Sequence, residues 1–173
     1  LIENDGNNFI YAPLVNYADH TFGVCKKMLD DKNAIMGLGD GGAHVGFILD
    51  AGYPTWLISY WSVKQKVYSM EETVRRLTSD TANAAGLNDR GLLKVGLKAD
   101  INIIDWENVG SSDPFMTQDL PAGGKRLMQY TKGYVTTIVS GKVTYKNGKF
   151  TKERPGTVVK SVKDEEKTLE FIN

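Results

Sequence analysis

"AIMGLGDGGAHVG", residues 34–46, decides how the rest of the chain is read. Its first part, "AIMGL", is too short for a helix and apolar enough for a strand buried on both faces, as parallel strands usually are. A glycine-rich loop follows at once. Gly37, Gly39 and Gly42 spell G-x-G-x-x-G, the pattern of a loop that cradles a dinucleotide pyrophosphate. Asp40 sits inside that cradle, where its carboxylate would repel the phosphate. No helix clearly opens after Gly42, and no acidic residue stands about twenty positions on to take a ribose hydroxyl. A nucleotide-binding α/β module is therefore the weakest of the readings. The pattern suits a different need: a carboxylate held at the exposed end of a short strand.

Upstream, "PLVNYADHTFGVCKKMLDDKN" places Phe22, Cys25, Met28 and Leu29 at helical spacing, with Asp19 as the expected cap and Asn33 as the expected stop. Helix, strand and loop in that order give an α/β rhythm. Downstream, "YPTWLISYWSVKQKV" has Pro54 in a first helical turn and Leu57, Tyr60 and Trp61 on one face. "SMEE" is a capping box in which Ser69 caps and Glu72 reaches back, ahead of a face formed by Met70, Val74 and Leu77. "DTANAAGL" is a further short helix, stopping at Gly86.

The composition then changes. "ADINIIDW" sets Ile101 and Ile103 on one face of a strand and Asp100 and Asn102 on the other. "YVTTIVSGKVTYKNGKF" carries β-branched runs broken at Ser140-Gly141 and Asn147-Gly148, both two-residue hairpin signals. Between these, "ENVGSSDPFMTQDLPAGGKRLMQYTKG" reads as a long irregular excursion of the kind that docks or works on substrate. The tail "SVKDEEKTLEFIN" is a charged, solvated run.

The 173 residues balance 21 basic against 21 acidic side chains, so no charge footprint for nucleic acid or an anionic membrane surface is present. No apolar run approaches the roughly 20 residues of a membrane span. The start, "LIENDGNNFI", lacks the basic region and apolar stretch of a secretory signal, and it lacks an initiator methionine. The expectation is a chain that begins inside a longer protein. Cys25 is the one cysteine, which excludes a disulfide framework and points to a reducing, cytoplasmic compartment.

Four stretches then carry a resemblance. "GLGDGGAH" (37–44), "LTSDTANAAGLNDRGLLKVGLKADINIID" (77–105), "DLPAGGKRL" (119–127) and "GYVTTIVSGKVTYKNGKFTKERPGTVVK" (133–160) occur in this order. Together they resemble the C-terminal part of the amidohydrolase superfamily, in its branch of N-acyl-D-amino-acid deacylases (D-aminoacylases), over about residues 12 to 160.

The resemblance implies a fold class: an α/β chain that is the C-terminal fragment of a metal-dependent (β/α)8 barrel, joined to a small antiparallel β-domain. Residues 1–95 would close the barrel, 96–160 would form the β-domain and 161–173 the tail. It also implies zinc in the complete enzyme and an N-acyl amino acid as the small-molecule substrate. Asp40 matches the carboxylate after the last barrel strand, at the strand end where barrel chemistry sits. In the family this carboxylate belongs to the metal site and serves as general base towards the attacking water, while zinc acidifies that water and polarises the amide. The family's paired histidines and bridging ligand have no counterpart here. Cys25 does not match the bridging cysteine, because it falls before the last strand. The isolated chain is accordingly expected to hold no zinc and to be inactive.

Each candidate has a plainer reading beside the functional one. Asp40 could be a turn aspartate. His44, four residues on, is assigned to substrate or to support of the metal site, against a histidine hydrogen-bonded within its loop. His20 is a solvated helix residue and Cys25 a small buried apolar one. Tyr53, Trp56, Tyr60 and Trp61 are core aromatics, with an acyl pocket as the rival reading. Lys125 and Arg126 are candidate binders of a substrate carboxylate, with solvation as the rival. The alternative to an amide hydrolase is a non-catalytic, self-associating fragment. The unpaired "AIMGL" edge and the C-terminal sheet predict a homodimer or higher oligomer.

Overall fold

A relay of short polar side chains sets where the first helix begins. Asp19 accepts from the Thr21 N–H and hydroxyl at 3.1 and 2.9 Å, and Thr21 Oγ1 accepts from the Gly23 N–H at 3.2 Å. Helix α1 therefore spans Gly23–Asp30, and Asp19 acts through Thr21 instead of capping directly. The Thr21 hydroxyl also holds the Asp19 carboxyl below its usual range. Asp31, not Asn33, ends the helix by accepting from the Asn33 N–H at 2.8 Å. Cys25 is half-buried and not core, its thiol 3.5 Å from the Asn16 carbonyl.

These elements lie in the first of two units, Leu1–Met36 and Gly37–Asn173. The computed structural model describes residues 16–17, 19–37 and 44–159. The expected strand at "AIMGL" is not formed across Ala34–Gly37, which join no sheet, and Ile35 is 55% exposed; Leu38 lies outside the described residues. A strand exists through its partners, and none lies beside this one among the described residues.

In the second unit α2, Tyr53–Trp56, opens with Pro54 in its first turn and runs on into a π-helix, Leu57–Lys64. The wider turn is closed by the Gln65 N–H on the Tyr60 carbonyl at 2.8 Å. It turns Leu57, Ile58, Trp61 and Ser62 inward, where with Tyr68, Ala82 and Val109 they make the core. Trp56 and Tyr60 stack at 4.6 Å on its rim, so the aromatic cluster is partly core and partly surface.

Helix α3, Met70–Leu77, is capped by Ser69, whose hydroxyl accepts from the Glu72 N–H at 3.1 Å. Such a cap is worth about 1 kcal/mol. The reciprocal arm differs from expectation: Glu72 turns to Arg76 at 2.8 Å. The Met70/Val74 face is also exposed, and the fully buried residue is Thr73, its hydroxyl on the Ser69 carbonyl at 2.8 Å. Helix α4, Ser79–Ala84, ends as predicted. Gly86 adopts φ +69°, its N–H meets the Asn83 carbonyl, and the Leu87 N–H meets that of Ala82.

The remainder is antiparallel. Strands β1 (Ile101–Ile104), β6 (Tyr134–Val139), β7 (Lys142–Lys146) and β8 (Lys149–Phe150) form one sheet in the order β1-β6-β7-β8. Both predicted hairpins are present. Ser140-Gly141 and Asn147-Gly148 have φ of 49°, 77° and 49°, 74°, the left-handed pairs of type I′ turns. Ile103 is 50% exposed, so the Ile101/Ile103 face is only half covered.

The excursion read as irregular is instead two ribbons. One pairs β2 (Gly110–Ser111) with β5 (Thr131–Lys132), and the other pairs β3 (Phe115–Leu120) with β4 (Gly124–Met128). Ala122 and Gly123, both at positive φ, make the β3–β4 turn. The chain is thus mixed α/β with antiparallel sheets. Among the described residues no helix is long and apolar enough to cross a membrane.

Candidate functional site

Asp40, the carboxylate on which the sequence reading centres, lies outside the described residues. His44 is at φ +46°, with its carbonyl accepting from the Phe47 and Ile48 N–H groups at 2.9 and 3.1 Å. The imidazole stacks on Phe47 with centroids 5.1 Å apart. One residue later the Val45 carbonyl accepts from the Leu127 N–H at 2.7 Å. That bond fixes the exit of the glycine-rich loop against β4, the strand that carries Lys125 and Arg126.

A cleft of about 300 Å³ lies along this junction. Val45, Ile48 and Leu49 form one wall, and Arg126, Leu127 and Met128 the other. Gln129 lines its end and donates to the Ser112 carbonyl at 2.7 Å. A Cβ on Gly52 would come 3.2 Å from Gln129 Oε1.

The two cationic candidates part company. Arg126 lines the cleft, while Lys125 is exposed on β4 and is not a lining residue. Arg126 is engaged from within the chain. Its Nε and one terminal nitrogen donate to the two oxygens of Asp119 at 2.7 and 2.6 Å, a bidentate fork. The guanidinium holds the Asp119 carboxyl below the usual carboxylate range, and Asp119 in turn raises the Arg126 pKa.

Among the described residues no three His, Cys, Asp or Glu side chains gather as a metal site. They do not fit a zinc ion by themselves, and no step through zinc follows from them. Sequence reasoning missed Asp119, Ile48 and Leu49. A signal for the first was present: Asp119 and Arg126 flank "PAGG", and a hairpin closed there brings them together.

Comparison with known proteins agrees with the family resemblance. A family model described as the amidohydrolase family matches residues 14–145. The chain is 34% identical over 89 residues to a dihydroorotase of Lactobacillus acidophilus, covering 49% of this chain and 20% of that protein. It is 28% identical over 96 residues to an N-acyl-D-aspartate deacylase of Alcaligenes xylosoxydans xylosoxydans, covering 56% of this chain and 18% of that one. The chain thus spans a fifth or less of these relatives. No solved structure matches it.

Proposed function

The chain belongs to the amidohydrolase family, and from that premise we propose that it is the C-terminal portion of a zinc-dependent amide hydrolase acting on N-acyl-D-amino acids. Asp40 is the carboxylate of its metal site, with the remaining ligands supplied from outside the described residues. One observation supports this best. The "GLGDGGAH" loop lies within the family match, and its exit is bonded to the strand whose arginine already grips a carboxylate. Residues 1–95 would close the barrel and 96–160 form the small β-domain. His44 stands beside the loop, where it can meet substrate. Lys125, exposed on β4, supplies positive charge nearby and not a second prong.

The test is acetate release from N-acetyl-D-leucine and N-acetyl-D-aspartate by the longer protein that carries this chain, with and without a chelator. Chelator-sensitive release supports the reading, and none overturns it. A second reading, hydrolysis of dihydroorotate, follows from the 34% relative and is assayed alongside. The 173-residue chain alone is expected to retain substoichiometric zinc and to release no acetate, because a zinc site takes at least three protein ligands. One zinc per chain by elemental analysis would show a complete site where we infer a partial one.

We propose further that the chain self-associates, most simply as a two-fold dimer. Within the Gly37–Asn173 unit Leu93 is 86% exposed and Val95 fully exposed, besides Met70 and Val74 on α3, and a second copy would cover such apolar side chains. Sedimentation at micromolar concentration should report a dimer, burying roughly 1,000 Å² or more. A monomer with one cooperative melt would contradict this.

A further inference from the structure

We propose that Asp119 is an internal stand-in for a ligand carboxylate, and that Arg126 exchanges it for the carboxylate of an N-acyl amino acid whose side chain is apolar. This rests on the hydrolase reading for the identity of the ligand, though not for the geometry. Arg126 is the cationic group in the lining of the 300 Å³ cleft, whereas Asp119 is not a lining residue and holds the fork from outside. The pair shows how this guanidinium receives a carboxylate: two parallel bonds of 2.7 and 2.6 Å in the planar arrangement that arginine favours.

The pair is also exchangeable. Its side chains are 36% and 45% exposed, so water and a competing carboxylate reach both partners. The strands are also joined by their own ladder, from Phe115↔Met128 to Thr117↔Arg126 and again at Leu120↔Gly124, with a register shift between that leaves Asp119 outside the pairing. A ligand that brings both a carboxylate and apolar surface therefore outcompetes an aspartate that brings the carboxylate alone.

The rest of the lining selects the side chain. Val45, Ile48, Leu49, Leu127 and Met128 offer hydrocarbon, and Asp50 sits among them as a negative charge. A second carboxylate on the ligand would meet Asp50 with no partner of its own. N-Acyl leucine or methionine fits, and N-acyl aspartate does not.

The experiment is ligand binding to the 173-residue chain, read by NMR chemical-shift titration without added metal. N-Acetyl-D-leucine should bind about tenfold more tightly than N-acetyl-D-leucinamide, which lacks the charge that Arg126 pairs with, and more tightly than N-acetyl-D-aspartate. Asp119→Asn should tighten N-acetyl-D-leucine about threefold, the amount by which an exposed ion pair competes. Arg126→Gln should remove the preference for acid over amide. Equal binding of acid and amide, or an Asp119→Asn variant no tighter than the parent, would overturn the proposal. The ligand comparison needs no variant, so a misfolded mutant does not blunt it. Because nothing here is hydrolysed, carboxylate-selective binding by a protein that never releases acetate would retain this inference and sink the hydrolase reading, and the converse result would do the opposite.

Discussion

On the proposed reading of a zinc-dependent hydrolase, Asp40→Ala in the longer protein is expected to lower kcat/KM by about a thousandfold or more. A positioned general base alone contributes roughly 10²–10⁴-fold, and the same carboxylate is assigned to the metal site. Asp40→Asn should be nearly as damaging, because the amide keeps the shape but neither takes a proton nor binds zinc with a full negative charge. Metal content separates the two roles: an Asn variant that retains zinc and loses turnover would isolate the loss of the base. His44→Ala, which alters the loop exit without removing the carboxylate, serves as the contrast and should cost far less. A variant at position 40 with more than a tenth of the parent activity would make Asp40 a turn residue, as its neighbouring glycines would equally allow.

How much of this could be read in advance follows from the range over which each signal acts. Ser140-Gly141 and Asn147-Gly148 specify their turns through the φ values those residues tolerate, and both hairpins formed, the first with a register shift between Thr137 and Ile138. Ser69 and Gly86 likewise act within a turn of helix, Ser69 capping the start of α3 and Gly86 following the end of α4 as predicted. The failures are of another kind. "AIMGL" carries the composition of a buried strand, yet composition states a need for partners and does not supply them, so Ile35 stands exposed. Met70 and Val74 mark a face that seeks cover, and the pattern cannot say against what. Thr73 is buried because its hydroxyl closes on the Ser69 carbonyl, which periodicity does not detect.

The site divides along the same line. That position 126 offers a fork for carboxylate was legible from the residue type. That the fork is filled by Asp119, and that Lys125 turns away from it, depended on seeing "PAGG" as a hairpin turn and not as an irregular loop. Pro121 and the paired glycines suggested disorder of pattern, while Ala122 at φ +57° and Gly123 at +73° are what let β3 return as β4. With that turn in place Arg126 lines the cleft and Lys125 stands exposed.

Gly133→Ala should destabilise the Gly37–Asn173 unit by about 4 kcal/mol, the sum of two independent costs. The first is backbone conformation. Gly133 sits at φ +87°, outside the region an L-residue adopts readily, and this costs roughly 1–2 kcal/mol. The second is steric. A Cβ at this position would stand 2.6 Å from Val109 Cα and 2.9 Å from Val109 N. Both are backbone atoms that cannot swing aside as a side chain could, and Val109 is a core residue only 6% exposed. Relief therefore requires moving the backbone of one segment or the other, an overpacking cost of about 1–3 kcal/mol. Movement would also stretch the bond from the Asp105 N–H to the Gly133 carbonyl, now 2.7 Å, which joins the end of β1 to the start of β6. Gly148→Ala is the matched control, since it has a similar φ of +74° and open space around its Cβ. It should cost only the conformational part, about 1–2 kcal/mol. Urea unfolding of the two variants reads the difference directly. Equal midpoints would mean that the approach of Gly133 to Val109 relaxes without cost, and that the contact does not hold the sheet to the core.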